Sequence, residues 1–272
     1  MKTRIITALS IVFFLVGVIL VDKKALGIVI FLFSIVAMRE YIRCFEKMSC
    51  KPSKIILYAS TALLLVPVLK FSSFKTDSVM LAGGMYVLLL VLAILAVLKN
   101  HRYKIIDLAV TVFGILYIPF LFAFVTLIRL MEHGLYYIWI IFIGSCVTDT
   151  FAYFVGLSIG KHKLLPEVSP KKTIEGSIGG VIATVLVMLL YGKYLISVNV
   201  MDVSLLYFGI LGFVMAIVAQ IGDLFASSIK RFVGVKDYGN ILPGHGGILD
   251  RFDSIMFIAP MIYFYMRFLG GV

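Results

Sequence analysis

The stretch SSIKRFVGVKDYGNILPGHGGILDRFD, from Ser227 to Asp253, separates two long apolar segments and concentrates charge in a chain of which only 14% of residues are charged. Four acids and five bases lie in it or just before it: Asp223, Asp237, Asp250, Asp253, Lys230, Arg231, Lys236, His245 and Arg251. Such a concentration predicts that this stretch carries the chemistry and that the rest of the chain supports it.

The composition is that of a membrane protein, because 62% of the 272 residues are hydrophobic and the mean hydropathy is +1.10. A soluble domain has about half of its residues apolar. Since a span needs about 20 mostly apolar residues, the sequence predicts an all-α, polytopic helical bundle with about nine transmembrane helices. The predicted spans are 5–21, 25–45, 55–69, 79–98, 105–130, 135–159, 178–197, 205–231 and 252–269. Pro119 predicts a kink or a break in the fifth span.

Neither the first apolar run nor the cysteines indicate processing or redox chemistry. No small-residue cleavage site precedes Asp22, so the first run is predicted to be a retained helix rather than a secretory signal. Cys44, Cys50 and Cys146 have neither metal-ligand nor redox spacing. They are expected to be reduced and to take no part in the chemistry.

The distribution of Lys and Arg predicts the orientation, because cytoplasmic loops carry an excess of these residues. With the N-terminus in the cytoplasm, 18 of the 25 fall in cytoplasmic segments. The other seven are Lys23, Lys24, Lys70, Lys75, Arg129, Lys193 and Arg267. We therefore expect a multi-pass protein of the cytoplasmic (inner) membrane, with membrane lipids or a soluble polyanion as partners and no nucleic acid. In the segment 39–54 the basic residues are interpreted as a topology signal alone.

Asp149 lies near the middle of the sixth predicted span, where an acid is costly and is by default a functional candidate. The alternative is a buried Asp that bonds to neighbouring hydroxyl groups. The loop that follows carries Lys171, Lys172 and Glu175 just before a glycine-rich helix start near Thr173 or Ser177. Free backbone N–H groups at that start, with two ammonium groups beside them, predict contact with phosphate rather than a merely solvated basic loop.

The eighth predicted span places polar groups on one side, since Gln220, Asp223, Ser227 and Lys230 follow helical spacing. Asp223 lies about 10 Å deeper along the helix than Lys230. Glycines 244, 246 and 247 allow a ligand to approach the backbone. Asp223 and Asp250, from adjacent spans at the same boundary, predict a divalent metal site. The competing interpretation is that Asp250 and Asp253 only cap a helix; His245 is predicted to bind rather than to carry a proton.

These residues together resemble the signature of the phosphatidate cytidylyltransferase (CDP-diacylglycerol synthase) family. The matching positions are Ser227, Ile229, Lys230, Arg231, Lys236, Asp237, Gly239, Leu242, Pro243, His245, Gly246, Gly247, Ile248, Asp250, Arg251, Phe252 and Asp253. The segment from Ser169 to Gly176 is similar to a second motif of that family. The resemblance is specific over about 149–253, whereas residues 1–134 share only a hydrophobic, multi-span character.

The resemblance implies that CTP and phosphatidic acid react to give CDP-diacylglycerol and pyrophosphate with Mg²⁺ as cofactor. Asp223 and Asp250 would then hold the metal, and Lys230, Arg231 and Lys171 would stabilise the transferring phosphates. The expected substrate-binding residues are Lys172, Ser227, Lys236, Asp237, His245, Gly246, Gly247, Arg251, Asp253, Asp149 and Glu175. A homodimer is expected at the level of the family only.

The predicted organisation has two parts. Residues 1–134 are expected to be supporting, lipid-facing spans, and residues 135–272 the catalytic region with cytoplasmic loops 161–176 and 232–250. Two other functions stay open. One is a CTP-dependent polyprenol or dolichol kinase, which would move the γ-phosphoryl group with similar residues. The other is a cation-coupled transporter in which Asp149 and Asp223 bind the ion.

Overall fold

The structure, a computed structural model, describes residues 13–65, 104–241 and 246–268, and all statements below concern these ranges. Helical residues 13–21 precede the first complete helix. The helices are α1 (Lys23–Glu46), α2 (Lys54–Ala62), α3 (Ile105–Tyr117), α4 (Pro119–Leu130), α5 (Gly134–Phe142), α6 (Thr148–Ile159), α7 (Ile174–Ser197), α8 (Leu205–Val233) and α9 (Leu249–Phe268). A π-helical turn, Ile143–Val147, joins α5 to α6, and two short strands, β1 (Lys163–Leu165) and β2 (Ser169–Thr173), precede α7.

The described ranges contain five helical segments long and apolar enough to cross a membrane, not nine. They are Lys23–Glu46, Ile105–Leu130, Gly134–Ile159, Ile174–Ser197 and Leu205–Val233. The prediction of a multi-pass all-α protein is confirmed. The span predicted at 79–98 lies outside the described residues, as do parts of those at 5–21 and 55–69.

One of the nine predicted spans differs within the described ranges, and another is described only in part. The third predicted span begins with α2, which has 9 residues, and the end of that span lies outside the described residues. The ninth corresponds to α9, which has 20 residues but is not among the five because its sequence includes Asp250, Arg251, Asp253 and Arg267.

The fifth predicted span is broken at Ile118, as Pro119 predicted. Proline has no N–H to donate, so it fits the first position of a helix and weakens a helix interior, as at Pro260 of α9. Pro119 accordingly begins α4, and the segment consists of two consecutive helices of 13 and 12 residues. Phe122, from α4, is fully buried in the core.

The bundle is centred on α7, α8 and α9. The most extensive contacts join α7 to α6 and α8, then α8 to α9, and α9 to α4. Close approach requires a glycine at Gly222, because a Cβ there would lie 2.9 Å from the carbonyl oxygen of Asp253. Gly222 therefore brings the adjacent Asp223 close to the start of α9.

A small antiparallel hairpin in the predicted cytoplasmic loop adds β structure to the otherwise helical fold. Lys163 pairs with Thr173 and Leu165 with Ser169. The Thr173 side chain caps α7, since its hydroxyl oxygen accepts a hydrogen bond from the N–H of Gly176 at 3.1 Å. The predicted helix start near Thr173 is confirmed, and the hairpin fixes Lys171 and Lys172 in the strand that leads into it.

Candidate active site

Lys230 and Asp250 form a buried ion pair between α8 and α9. The Lys230 ammonium donates to Asp250 Oδ1 at 2.7 Å, and the two side chains are 10% and 1% exposed. Asp250 Oδ2 accepts from the backbone N–H of Tyr238 at 2.8 Å and of Gly247 at 3.0 Å. Both oxygens of Asp250 are therefore engaged, as a buried charge requires. This one carboxylate joins α8, α9 and the loop between them.

Tyr238 forms the wall behind this pair. Its hydroxyl group donates to the carbonyl oxygen of Ala226 at 3.2 Å, and the Lys230 ammonium lies 5.4 Å from the centroid of its ring. Burial raises the pKa of the Tyr238 phenol above its usual range. Tyr238 therefore stays neutral and supports Lys230 from one side.

Glu40 of α1 caps α9 from across the bundle. Its Oε1 accepts from the N–H of Ile248 at 3.1 Å, and its Oε2 accepts from the N–H of Leu249 at 2.9 Å. Glu40 is only 3% exposed. A helix N-terminus leaves backbone N–H groups unpaired and carries the positive end of the helix dipole. A carboxylate there accepts hydrogen bonds from the N–H groups and interacts favourably with the dipole. Asp250 is consequently not the N-cap of α9, and the capping interpretation of Asp250 is wrong.

Glycines make room for Glu40. A Cβ at Gly239 or at Gly247 would overlap the Glu40 carboxylate. Gly246 has φ of 85°, a left-handed conformation that favours glycine. The glycines of the loop thus allow its backbone to close around two carboxylates, those of Glu40 and Asp250.

Asp223 pairs with a different lysine. Its Oδ2 forms an ion pair with the Lys172 ammonium group of β2. The Asp223 side chain is 27% exposed and that of Lys172 is 24% exposed. Asp149 lies within electrostatic range of Asp223, Lys172 and Arg251. Two helices, α6 and α9, and the hairpin therefore place charged groups of both signs around Asp223.

Asp253 links the two ion pairs. It is 7% exposed, its Oδ1 accepts from the N–H of Ser254 at 2.7 Å, and it lies within electrostatic range of Asp223, Lys230 and Asp149. Three acids from three helices thus share one region. In the described ranges, however, no three His, Cys, Asp or Glu side chains are close enough to hold one metal ion.

Comparison with known proteins identifies the family. The model of the cytidylyltransferase family matches residues 2–269. This chain belongs to that family. It is 34% identical to the phosphatidate cytidylyltransferase of Bacillus subtilis (strain 168) over 267 residues, 97% of each chain. It is 33% identical to that of Staphylococcus haemolyticus (strain JCSC1435) over 263 residues, 96% of this chain and 97% of the relative. A third, from Staphylococcus aureus (strain COL), is 44% identical over 166 residues, 61% of this chain and 62% of the relative.

Two further charged residues of this cytidylyltransferase-family chain hold the hairpin. Glu175 Oε1 bonds to His162 Nδ1 at 2.6 Å, and its carboxylate also accepts from the backbone N–H groups of Lys161 and His162. Arg231 Nε donates to the carbonyl oxygen of Val168 at 3.2 Å, and its Nη1 donates to that of Val235 at 3.3 Å. Arg231 was predicted to stabilise the transferring phosphates and Glu175 to bind substrate. In the structure both hold the loops that carry the lysines.

The remaining predicted site residues of this family member face solvent or lie between helices. Lys171, Lys236, Asp237 and Arg251 are exposed, and Ser227 is half-buried. His245 lies outside the described residues. Gln220 is buried and exchanges hydrogen bonds with Ser177 of α7, whose hydroxyl donates to the Gln220 amide oxygen.

An apolar groove of about 450 Å³ runs along α7 from this Ser177 into the membrane-facing surface. Apart from Ser177, its lining is aliphatic or aromatic: Ile178, Val181, Ile182, Val185, Leu186 and Phe213. Ile178 and Ile182 are 54% and 55% exposed. The groove therefore begins beside the polar contacts of α8 and continues among side chains suited to a hydrocarbon chain.

Sequence reasoning missed Glu40 and Tyr238. Glu40 lies inside the second predicted span, 25–45, where an acid is itself a signal of function or of a specific partner. Tyr238 carried no signal, because its role depends on its backbone N–H and on burial.

Proposed function

We propose that this protein is an enzyme of phospholipid biosynthesis that transfers the cytidylyl group of CTP to phosphatidate. The products are CDP-diacylglycerol and pyrophosphate. The observation that carries the proposal is the pair of lysine–carboxylate contacts, Lys172–Asp223 and Lys230–Asp250. They lie in a chain that matches the cytidylyltransferase family over nearly its full length. Phosphatidate cytidylyltransferases are also the relatives with which it aligns.

The chemistry needs two polyanions to meet. A phosphate oxygen of phosphatidate forms a bond to the α-phosphorus of CTP, and the bond from that phosphorus to the β-phosphate bridging oxygen breaks. The electron pair leaves with pyrophosphate. Because the attacking phosphate is already ionised near neutral pH, the step needs positioning and charge stabilisation rather than a strong base. We assign the stabilisation to Lys171, Lys172 and Lys230, with Arg231 holding the hairpin in place.

Asp223 is the carboxylate best placed to bind a divalent cation. Asp223 is partly exposed, and Lys172 engages one of its oxygens, Oδ2. Asp250 can join it only through Oδ1, the oxygen now bonded to Lys230. Mg²⁺ needs only one or two protein carboxylates when substrate phosphates supply other ligands. We therefore propose that Asp223, with Asp250, holds Mg²⁺, which would neutralise charge on the phosphates when bound.

The lipid substrate would enter from the side. The groove on α7 begins at Ser177, three residues after the start of the helix that Lys172 precedes. We propose that an acyl chain of phosphatidate lies in this groove and that its phosphate reaches Lys172. The charged hairpin and the loop 235–241 would then face the cytoplasm, from which CTP comes, with the protein in the inner membrane. Homodimer formation stays a prediction.

The two-part organisation predicted from the sequence stays a proposal. Residues 135–272 would contain the groups that act on the substrates. Residues 1–134 would support them, and the contribution of this region at the site is the Glu40 carboxylate.

The proposal is tested by pyrophosphate release from CTP in liposomes. With purified protein and Mg²⁺, release should require phosphatidate in the membrane and should be absent with diacylglycerol, which lacks the attacking phosphate. Release that is independent of phosphatidate, or that occurs equally with diacylglycerol, would contradict the reaction. Asp223→Asn protein of unchanged thermal midpoint serves as the control without turnover.

A further inference from the structure

A second cavity, of about 370 Å³, opens between α1 and the loop that follows α8. Such a volume lies within the range of small-molecule sites. It is separate from the apolar groove on α7 and is lined by the end of α1 and by residues 235–241. The lining side chains that carry the argument are Arg43, Cys44, Lys47, Asp237, Tyr238 and Asn240.

The cavity is directly connected to the site already described. Its wall includes Tyr238, whose backbone N–H donates to Asp250 Oδ2 at 2.8 Å. Cys44, at the other wall, lies within electrostatic range of Asp250 and Lys230. Glu40 lies one helical turn before Cys44 and fixes the start of α9 against α1. The cavity and the Lys230–Asp250 pair therefore share one rigid frame.

The lining combines apolar surface with hydrogen-bond donors and acceptors, as a nucleobase site requires. Val235, Ile241 and the Cys44 side chain supply apolar surface for the faces of a flat ring. Asp237 offers acceptors only, Arg43 offers donors only, and the Asn240 amide offers both. A site for phosphate alone would not gain from Asp237, whose negative charge opposes an anion.

We propose that this cavity binds the cytidine part of the nucleotide and that Asp237 selects cytosine over uracil. The exocyclic amino group of cytosine donates to the Asp237 carboxylate, and its ring acceptors receive hydrogen bonds from Arg43 and Asn240. Uracil presents a carbonyl oxygen where cytosine has the amino group, so Asp237 would face it with two unpaired acceptors. This assignment rests on the proposed function, and it gives the basic end of α1 a role beyond topology.

The test is the nucleotide preference of variants in the full-length protein in phosphatidate-containing micelles. Asp237→Asn should lower the ratio of kcat/KM for CTP to that for UTP at least tenfold, since an amide can donate to the uracil carbonyl. Arg43→Gln should raise KM for CTP at least tenfold and leave KM for phosphatidate within twofold. Glu167→Gln and Arg39→Gln make the same charge changes at exposed residues outside the cavity and should retain the preference.

Unchanged CTP preference in Asp237→Asn, with unchanged KM for CTP in Arg43→Gln, would overturn the assignment. So would variants that weaken only inhibition by pyrophosphate, because the cavity would then hold the phosphate end. Equilibrium dialysis with labelled CMP and UMP, without lipid, measures nucleotide binding independently of cytidylyl transfer. Wild-type protein that binds CMP in preference to UMP, with the preference lost in Asp237→Asn, supports the cavity even where no cytidylyl transfer is found; equal binding of both contradicts it.

Discussion

Glu40 Oε2 accepts a hydrogen bond from the backbone N–H of Leu249 at 2.9 Å, although 209 positions separate the two residues in the chain. Leu249 is the first residue of α9, the helix that carries Asp250. An acid of the N-terminal region therefore positions the helix start at the candidate active site. Glu40 is a positioning residue, since its carboxylate is occupied by backbone N–H groups.

Removal of the Glu40 carboxylate should loosen the start of α9. Glu40→Ala leaves two buried N–H groups unpaired, which costs about 1–3 kcal/mol for each group. We expect a lower thermal midpoint and at least a tenfold loss of kcat, with partial recovery in Glu40→Gln, which keeps one acceptor. Glu46→Gln, an exposed acid of the same helix, is the matched control. Full activity and an unchanged midpoint in Glu40→Ala would contradict the positioning role.

Gly247→Ala should act on the same contact from the other side. Its Cβ would overlap the Glu40 carboxylate, which cannot move away without losing its hydrogen bonds to the N–H groups of Ile248 and Leu249. We expect loss of thermal stability together with activity. Gly209→Ala is the control, because its Cβ would meet only an ordinary contact at 3.4 Å with Leu189. Equal stability of the two variants, measured by thermal unfolding in detergent, would refute the close packing of Glu40.

The two candidate metal ligands should respond differently to replacement. Asp223→Asn removes an ion pair between partly exposed groups, so it should cost little stability while reducing kcat at least 100-fold. Asp250→Asn leaves Lys230 as a buried charge without its partner, which typically costs about 3–5 kcal/mol, and should reduce both stability and kcat. Thermal unfolding and initial rates, measured on the same preparations, separate the effects. Near-normal turnover in either variant would remove that carboxylate from the proposed metal site.

Filling the groove on α7 should affect the lipid substrate alone. Ile182→Trp places a large ring among the lining residues, so KM for phosphatidate should rise at least fivefold while KM for CTP stays the same. Leu190→Trp lies on the same helix outside the groove, where Leu190 is 71% exposed, and should change neither constant. Equal effects of the two tryptophans would mean that the groove does not hold an acyl chain.

Local sequence signals predicted much of the fold. Residues 205–231 were predicted as a span and form α8, and Thr173 was predicted near a helix start and caps α7. A hydrophobic run, a proline and a capping hydroxyl group each determine the conformation of residues close to them in the chain. Their effects can therefore be predicted from the sequence. The π-helical turn before Asp149 and the β hairpin had no such signal.

The candidate site was predicted as a set of residues but not as a set of contacts. Lys230, Asp250 and Asp223 were selected from charge and spacing. The pairing of Lys230 with Asp250 and the contact of Glu40 with Leu249 were not predicted, because both depend on how distant helices pack. The basic segment at 39–54 was read as a topology signal for the same reason: only the folded chain brings Arg43 beside Asp237.

The most direct test of the proposed cytidylyl transfer follows the α- and γ-phosphorus atoms of CTP. Purified protein is incubated with phosphatidate liposomes, Mg²⁺ and CTP labelled at either the α- or the γ-phosphate, and the lipid and aqueous fractions are counted. We expect the α-label to enter the lipid and the γ-label to be recovered in pyrophosphate. A γ-label that enters the lipid while the α-label stays in soluble nucleotide would contradict it and indicate a lipid kinase.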